Sequence, residues 1–369
     1  MTDAWPPMDV ASRPTRLRAR LGEANVDALL VTRLPNIRYL TGFTGSAALL
    51  LVTPDTLVFI TDGRYETQSR EQLAAAGVDA RVEIGATSAA QHDLLAAAVG
   101  PDTRLGLEAH GVTWAQQRTL ASLLAAELVP TDQLVEDLRR IKDPGEVARI
   151  RAACTIADDA LAELLPTLAD APREQDFAVE LEYAMRRRGA SAMSFDPIVA
   201  AGPNAAKPHA RPTERPIGAG ELVVIDFGCI VDGYCSDMTR TVSVDDPGPE
   251  ARRLWDLVAT SQQAGRDAVR AGVACADVDR ASRAVIEDAG FGDQFVHGTG
   301  HGVGLEIHEA PRVARTAPGT LEVGTVVTVE PGVYLPGVGG VRIEDTVVVT
   351  TDGAAPLTEA PKSLVVARR

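Results

Sequence analysis

No run in this 369-residue chain approaches the about 20 consecutive apolar residues that a membrane-spanning helix requires, so a helical membrane protein is not expected. The first segment, MTDAWPPMDVASRPTRLRARLG, lacks the uninterrupted apolar core of a signal peptide, and the expected location is the cytoplasm. Cysteine is scarce: Cys154, Cys229, Cys235 and Cys275 show neither a CxxC pair nor the spacing of a disulfide framework. They read as small core residues of a reducing compartment. Basic residues are outnumbered, with 36 Lys and Arg against 51 Asp and Glu. The net charge of −15 and pI of about 4.9 argue against nucleic acid or an anionic membrane as partner. Short repeats and low-complexity tracts are also missing, which leaves a soluble enzyme as the simplest class.

What the chain does have is a set of acids where acids are costly. Asp226, Asp237, Glu330 and Glu344 lie in or beside strand-like apolar runs, and His301 lies in a glycine-rich segment. Buried carboxylates need a positive partner, and four of them with one imidazole can hold two divalent metal ions. This pattern points to a metallohydrolase.

The stretch IDFGCIVDGYCSDMTRTV, residues 225–242, has two β-rich arms around Asp232-Gly233, a dipeptide suited to a two-residue type I′ turn. Counting outward from that turn, Val231 faces Tyr234, Gly228 faces Asp237 and Asp226 faces Thr239. Asp226 and Asp237 then become diagonal neighbours on one face, roughly 7–8 Å apart at the backbone. The same count turns Cys229 and Cys235 to opposite faces, so they should not pair. The alternative is two solvated acids on an exposed hairpin.

HGTGHGVGLEIHEAP, residues 297–311, holds three of the six histidines. It lacks the Glu of an H-E-x-x-H helix, and its glycines predict an extended, tightly packed backbone from which imidazoles reach a shared cavity. In TVEPGVYLPGVGGVRIEDT, residues 328–346, Glu330 ends an apolar strand before Pro331-Gly332. Arg342 and Glu344, two apart, share a strand face, which leaves a structural ion pair open as the alternative.

Strand-like runs ALLVT, AALLLVT, TLVFIT, RVEIG and RLGLEA, with helical stretches from residue 63 to about 125, predict an α/β amino-terminal domain over residues 1–135. Asp143 before Pro144, with Glu146 following, marks a helix start. Helices are expected near 143–168, 173–188, 250–271 and 276–290, with the candidate ligands on strands of a second domain over residues 136–369.

In order and spacing, these three acidic and histidine segments resemble those of the creatinase/aminopeptidase P/prolidase family of pita-bread metallopeptidases. NIRYLTGFTGS (36–46) and DGRY (62–65) are similar to the amino-terminal domain of its prolidase and aminopeptidase P branch, and LRRIKDPGEV (138–147) to the start of its catalytic domain. The resemblance implies an α/β amino-terminal domain followed by an α+β pita-bread catalytic domain with internal pseudo-twofold symmetry. It implies two divalent metal ions on Asp226, Asp237, His301, Glu330 and Glu344, with Asp237 and Glu344 bridging both. It also implies a substrate contact at His209 in KPHARPT, a histidine acting at the scissile bond in His308, and substrate-binding or orienting roles for His297, Tyr334 and Arg342.

The implied activity is hydrolysis of Xaa-Pro bonds, as an Xaa-Pro dipeptidase or aminopeptidase P-like enzyme, in a cytoplasmic homodimer. Paired metals can supply a bridging hydroxide near neutral pH. Glu330 is the candidate to relay its proton, and His308 or His209 to steady the developing oxyanion or steer the peptide. Oxygen-rich ligation favours manganese and permits cobalt, zinc or iron. Two rivals are a metal-free creatinase-like hydrolase and a non-catalytic pita-bread binding module; the complete ligand set counts against both.

Overall fold

The computed structural model describes residues 5–367. Two compact units are present, one spanning Met8–Arg139 and the other made of the chain from Arg140 onward together with residues 5–7. The short helix Glu136–Arg139 belongs to the first of them.

The amino-terminal unit is built on one six-stranded sheet. Ala28–Val31 is central, antiparallel to Leu49–Val52 and parallel to Arg104–Glu108. Glu127–Thr131 adds a parallel edge strand that the sequence pattern did not reveal, because Pro130 interrupts the apolar run and proline is tolerated only at such an edge. The NIRYLTG segment forms a short helix, Leu34–Thr41, whose Asn36 is fully buried. Asn36 Nδ2 donates to Glu108 (2.6 Å) and Glu136 (2.7 Å), and its Oδ1 accepts from Arg139 (2.7 Å). The motif is thus a polar hub of this unit's own interior.

In the second unit, each of two helix pairs covers a sheet. Pro144–Leu164 begins with the expected capping box between Asp143 and Glu146. With Glu174–Arg187 it packs through Ala157, Leu161, Phe177 and Leu181 onto Val223, Ile225, Met238 and Val242. That sheet places Leu222–Phe227 between Ile198–Ala201 and Met238–Val244. The second pair, Gly248–Ala268 and Cys275–Asp288, covers Val327, Val329 and Val347 of a five-stranded sheet, together with Val333, Val341 and Ile343. This is the pita-bread arrangement expected of the catalytic domain.

The hairpin count holds across both sheets that its arms enter. Val231 pairs with Tyr234, Phe227 with Met238 and Asp226 with Thr239, without a slip in register. The turn has φ of 44° at Asp232 and 78° at Gly233, the doubly positive signature of type I′. All four cysteines are buried and free. None of the described helices is long and apolar enough to cross a membrane.

Candidate metal centre

The five proposed ligands come from three places in the chain that converge between the two sheets of the catalytic unit. Asp226 lies near the end of Leu222–Phe227, and Asp237 immediately precedes Met238–Val244. His301 is the middle residue of the Gly300–Gly302 strand, and Glu330 follows Val326–Val329. Glu344 sits between the Gly339–Arg342 and Asp345–Val349 strands. The glycines beside His301 are needed for close packing: a Cβ at Gly300 would lie 2.0 Å from the Thr328 carbonyl oxygen, and one at Gly302 2.4 Å from that of Ala310. The extended backbone expected for this segment is present.

Asp237, His301 and Glu344 each bring a potential ligand atom within 4.8 Å of the others. His301 Nε2 stands 3.5 Å from Asp237 Oδ2 and 3.3 Å from Glu330 Oε1. Such separations suit the edges of a coordination shell whose metal–ligand bonds are about 2.0–2.2 Å. His301 Nδ1 is 3.0 Å from the Gly302 carbonyl, which can only accept, so the proton resides there and the Nε2 lone pair faces the acids. Tautomer and orientation are those of a metal-ligating imidazole.

The acids outnumber the one cation at their edge, Arg342. Asp226 Oδ1 and Glu344 Oε1 are buried with no hydrogen-bond partner among the described residues. Burial, then Glu344, Asp226 and Glu330, drive the Asp237 pKa well above the carboxylate range. Glu344 is driven up by burial, Glu330 and Asp226. Burial lifts Glu330 to about 8 against the opposing pull of Arg342. Arg342 is the cation at the edge of this cluster, donating to Asp226 Oδ2 at 2.5 Å. The alternative Arg342–Glu344 pair is therefore replaced by an Arg342–Asp226 pair, and Glu344 Oε2 accepts from Thr239 Oγ1 at 2.7 Å. A donor set of four acids and one imidazole with orphaned oxygens fits divalent cations.

Around the acids, the other histidines divide into two kinds. His297 Nδ1 lies 2.8 Å from the Gly298 carbonyl and its Nε2 2.8 Å from the Tyr334 hydroxyl. The first contact fixes the Nδ1 proton, so Nε2 accepts from Tyr334, whose oxygen accepts from Arg342 Nη1 at 2.9 Å. Both ring nitrogens of His297 are thus committed to the protein, and burial holds its pKa down to about 4. His308 and His209 are exposed instead. The His308 ring meets His301 edge-on at 4.4 Å, and desolvation with the neighbouring His301 and His209 lowers its pKa.

Two sequence profiles match the chain: the creatinase/prolidase N-terminal domain over residues 13–141 and metallopeptidase family M24 over residues 148–351. The chain belongs to metallopeptidase family M24. A relative from Bacillus subtilis strain 168 named uncharacterized peptidase YqhT is 39% identical over 352 residues, covering 95% of this chain and 99% of that one. The Xaa-Pro dipeptidase of Pyrococcus horikoshii is 30% identical and covers 97% of this chain and 100% of its own. Among solved structures, an Xaa-Pro dipeptidase from Bacillus anthracis is similar with a TM-score of 0.92 and 38% identity over 96% of this chain and 99% of that one. An X-Pro aminopeptidase from Thermotoga maritima gives 0.85 and 33%, over 95% and 99%. Membership of M24 implies divalent metal, which the orphaned oxygens of this member can accept.

Sequence reasoning missed the supports of the site. Thr239, already opposite Asp226 in the hairpin count, bonds Glu344 and accepts from Arg342 Nε at 3.1 Å. The buried pair Asp279–Arg283 braces the His297 segment, with Arg283 donating to the carbonyls of Phe295 (2.9 Å) and His297 (2.6 Å). Nothing distinguishes these two residues in sequence from ordinary i,i+4 helix charges.

Proposed function

We propose that this protein hydrolyses Xaa-Pro peptide bonds, as an Xaa-Pro dipeptidase or an aminopeptidase P-like enzyme. In this reading Asp226, Asp237, His301, Glu330 and Glu344 would hold two divalent ions. The observation that carries the reading is the orphaned, buried carboxylate cluster facing a correctly tautomerised His301. Likeness along nearly the whole chain to proteins named Xaa-Pro dipeptidase supports the choice of bond.

Divalent ions in such a cluster supply acidified water and polarise the scissile carbonyl. The chain supplies the rest. Glu330, at 3.3 Å from His301 Nε2, takes a proton from the attacking water and passes it to the leaving nitrogen. His308, whose pKa desolvation lowers, presents an N–H to the oxygen on which charge develops. His209 steers the peptide from the rim. A proline imide has no N–H to pair with a strand edge, so recognition must read ring shape and the carbonyls. His297 contributes by holding Tyr334, and Arg342 by joining Tyr334 to Asp226, so both orient the pocket.

Manganese is the proposed ion, with cobalt, zinc and iron as competitors. The proposed setting is the cytoplasm with no nucleic-acid or membrane partner, supported by four free buried cysteines and the acidic composition, and the homodimer is what the family resemblance implies. The test is steady-state kinetics on a matched Xaa-Pro dipeptide, Xaa-Pro tripeptide and Xaa-Ala dipeptide, with metal-stripped and manganese-reconstituted protein. Metal-dependent cleavage confined to the Xaa-Pro peptides supports the reading, and the dipeptide-to-tripeptide ratio assigns the branch. Failure to cleave either Xaa-Pro peptide, or equal cleavage of Xaa-Ala, overturns it.

A further inference from the structure

Residues 202–212 carry His209 and link the Ile198–Ala201 strand to Thr213, beginning with a short 3-10 helix, Gly202–Ala206. Both of its ends meet one carboxylate. Glu174, the first residue of the Glu174–Arg187 helix, is fully buried. Its Oε1 accepts from Ala201 N at 2.8 Å and Asn204 Nδ2 at 3.1 Å. Its Oε2 accepts from Thr213 N at 3.0 Å, Thr213 Oγ1 at 2.6 Å and Asn204 Nδ2 at 3.1 Å. The backbone completes the closure, because Glu174 N donates to Arg215 O at 3.0 Å and Gln175 N to Thr213 O at 3.1 Å.

The far side of the segment touches the metal cluster only indirectly. Ala205 and Ala210 are buried against Ile198, Ala200 and Val224, which leaves the intervening His209 exposed. The Pro208 carbonyl accepts from Arg342 Nη1 at 3.1 Å, and the same guanidinium holds Asp226. A displaced segment would therefore move His209 and one contact of Arg342 while leaving the strands that carry the four acids and the imidazole in place.

We propose that Glu174 is a positioning residue that pins both ends of the 202–212 segment, so that substrate affinity depends on it while metal occupancy does not. A carboxylate suits the task because every group aimed at it is a donor; an amide in its place would turn an N–H₂ toward other N–H groups. The activity part of this inference rests on the Xaa-Pro reading above. The dynamic part does not.

The experiment compares Glu174→Gln, Thr213→Val and Thr213→Ser with the wild-type protein by hydrogen exchange, metal content and kinetics on an Xaa-Pro dipeptide. In Glu174→Gln the backbone amides of 202–212 should exchange at least about tenfold faster, through easier local opening. KM should rise about five- to twentyfold with kcat within about threefold, the split expected when binding geometry is lost and chemistry is not. Metal content should stay at the wild-type value. Thr213→Val, which keeps the branched shape and loses the Oγ1 donor, should move every readout the same way by less, and Thr213→Ser should restore it. Thr213→Val carries the test alone if Glu174→Gln does not fold. Unchanged exchange in 202–212, or loss of metal and kcat at constant KM, overturns the proposal. If wild-type protein does not cleave Xaa-Pro peptides, the functional reading falls, and the exchange data still decide whether Glu174 pins the segment.

Discussion

Glu344 and Asp345 are consecutive, each 1% exposed, and opposite in character. Asp345 is met by Arg240 Nη2 at 3.0 Å, Arg266 Nη1 at 2.8 Å, Gln262 Nε2 at 3.0 Å and the Lys362 ammonium. Burial raises its pKa, but Arg240, Lys362 and Arg266 outweigh burial and the net shift is downward. Among the described residues Glu344 has only Thr239 on one oxygen and no partner on the other, and its pKa rises. Equal burial with unequal partners separates an acid that the protein's own cations balance from one that they leave unbalanced. A buried charge left uncompensated by protein costs several kcal/mol, so its retention points to a ligand.

Five outcomes would break or sharpen that contrast, from the largest effect to the smallest. Asp237→Ala should abolish hydrolysis and lower bound metal while the protein stays folded; normal activity at full metal occupancy would break the assignment. His308→Ala should lower kcat for an Xaa-Pro peptide by roughly 10²–10⁴ and keep its metal, the loss expected for a positioned acid–base or electrophilic group. His301→Ala should lose metal first, and metal analysis beside kcat reverses the two roles if His308→Ala is the variant that empties.

Asp345→Ala should instead destabilise the catalytic unit by about 3–5 kcal/mol, since it strands the buried Arg240 guanidinium. Denaturant melts of Asp345→Ala and Glu344→Gln measured without metal should diverge, the second matching or exceeding wild type. Gly233→Val forces a β-branched residue into φ of 78°, a strain of about 1–2 kcal/mol. Its stability and activity should fall together as the hairpin shifts Asp237 from Asp226, and a fully active, equally stable variant would remove the turn from the argument.

The smallest effect concerns pH. Glu330 in the folded, metal-free protein has a pKa of about 8 against an ordinary 4.5, so the folded state binds more protons than the unfolded one between those values. Stability contributed this way declines as pH rises through that window. His297, near 4 against an ordinary 6.5, works in the opposite direction only below pH 6.5. Chelated protein should therefore melt a few degrees lower at pH 8 than at pH 6.5, and divalent metal should flatten the difference. A melting temperature that rises over this interval in chelator contradicts the uncompensated cluster.

Much of this is legible in the sequence. Asp232-Gly233 set the hairpin register because a type I′ turn leaves no freedom to slip, and that register carried Asp226 and Asp237 to one face. The capping box at Asp143 and the helices after it follow from local periodicity and capping. The Glu127–Thr131 strand did not announce itself, because Pro130 is acceptable there only through its place at a sheet edge.

Local chemistry in the chain determined which residues could ligate metal and which helices and turns carry them, since turn geometry, capping and apolar periodicity act within a few residues. Only the tertiary structure decided how they are used. It assigned Arg342 to Asp226, committed both nitrogens of His297, gave Asp345 three cations and left Glu344 with an orphaned oxygen. It also closed the His209 segment on Glu174. The partner of a buried charge comes from wherever the fold brings a group within about 3 Å, and that distance is not encoded in the spacing of residues a hundred positions apart.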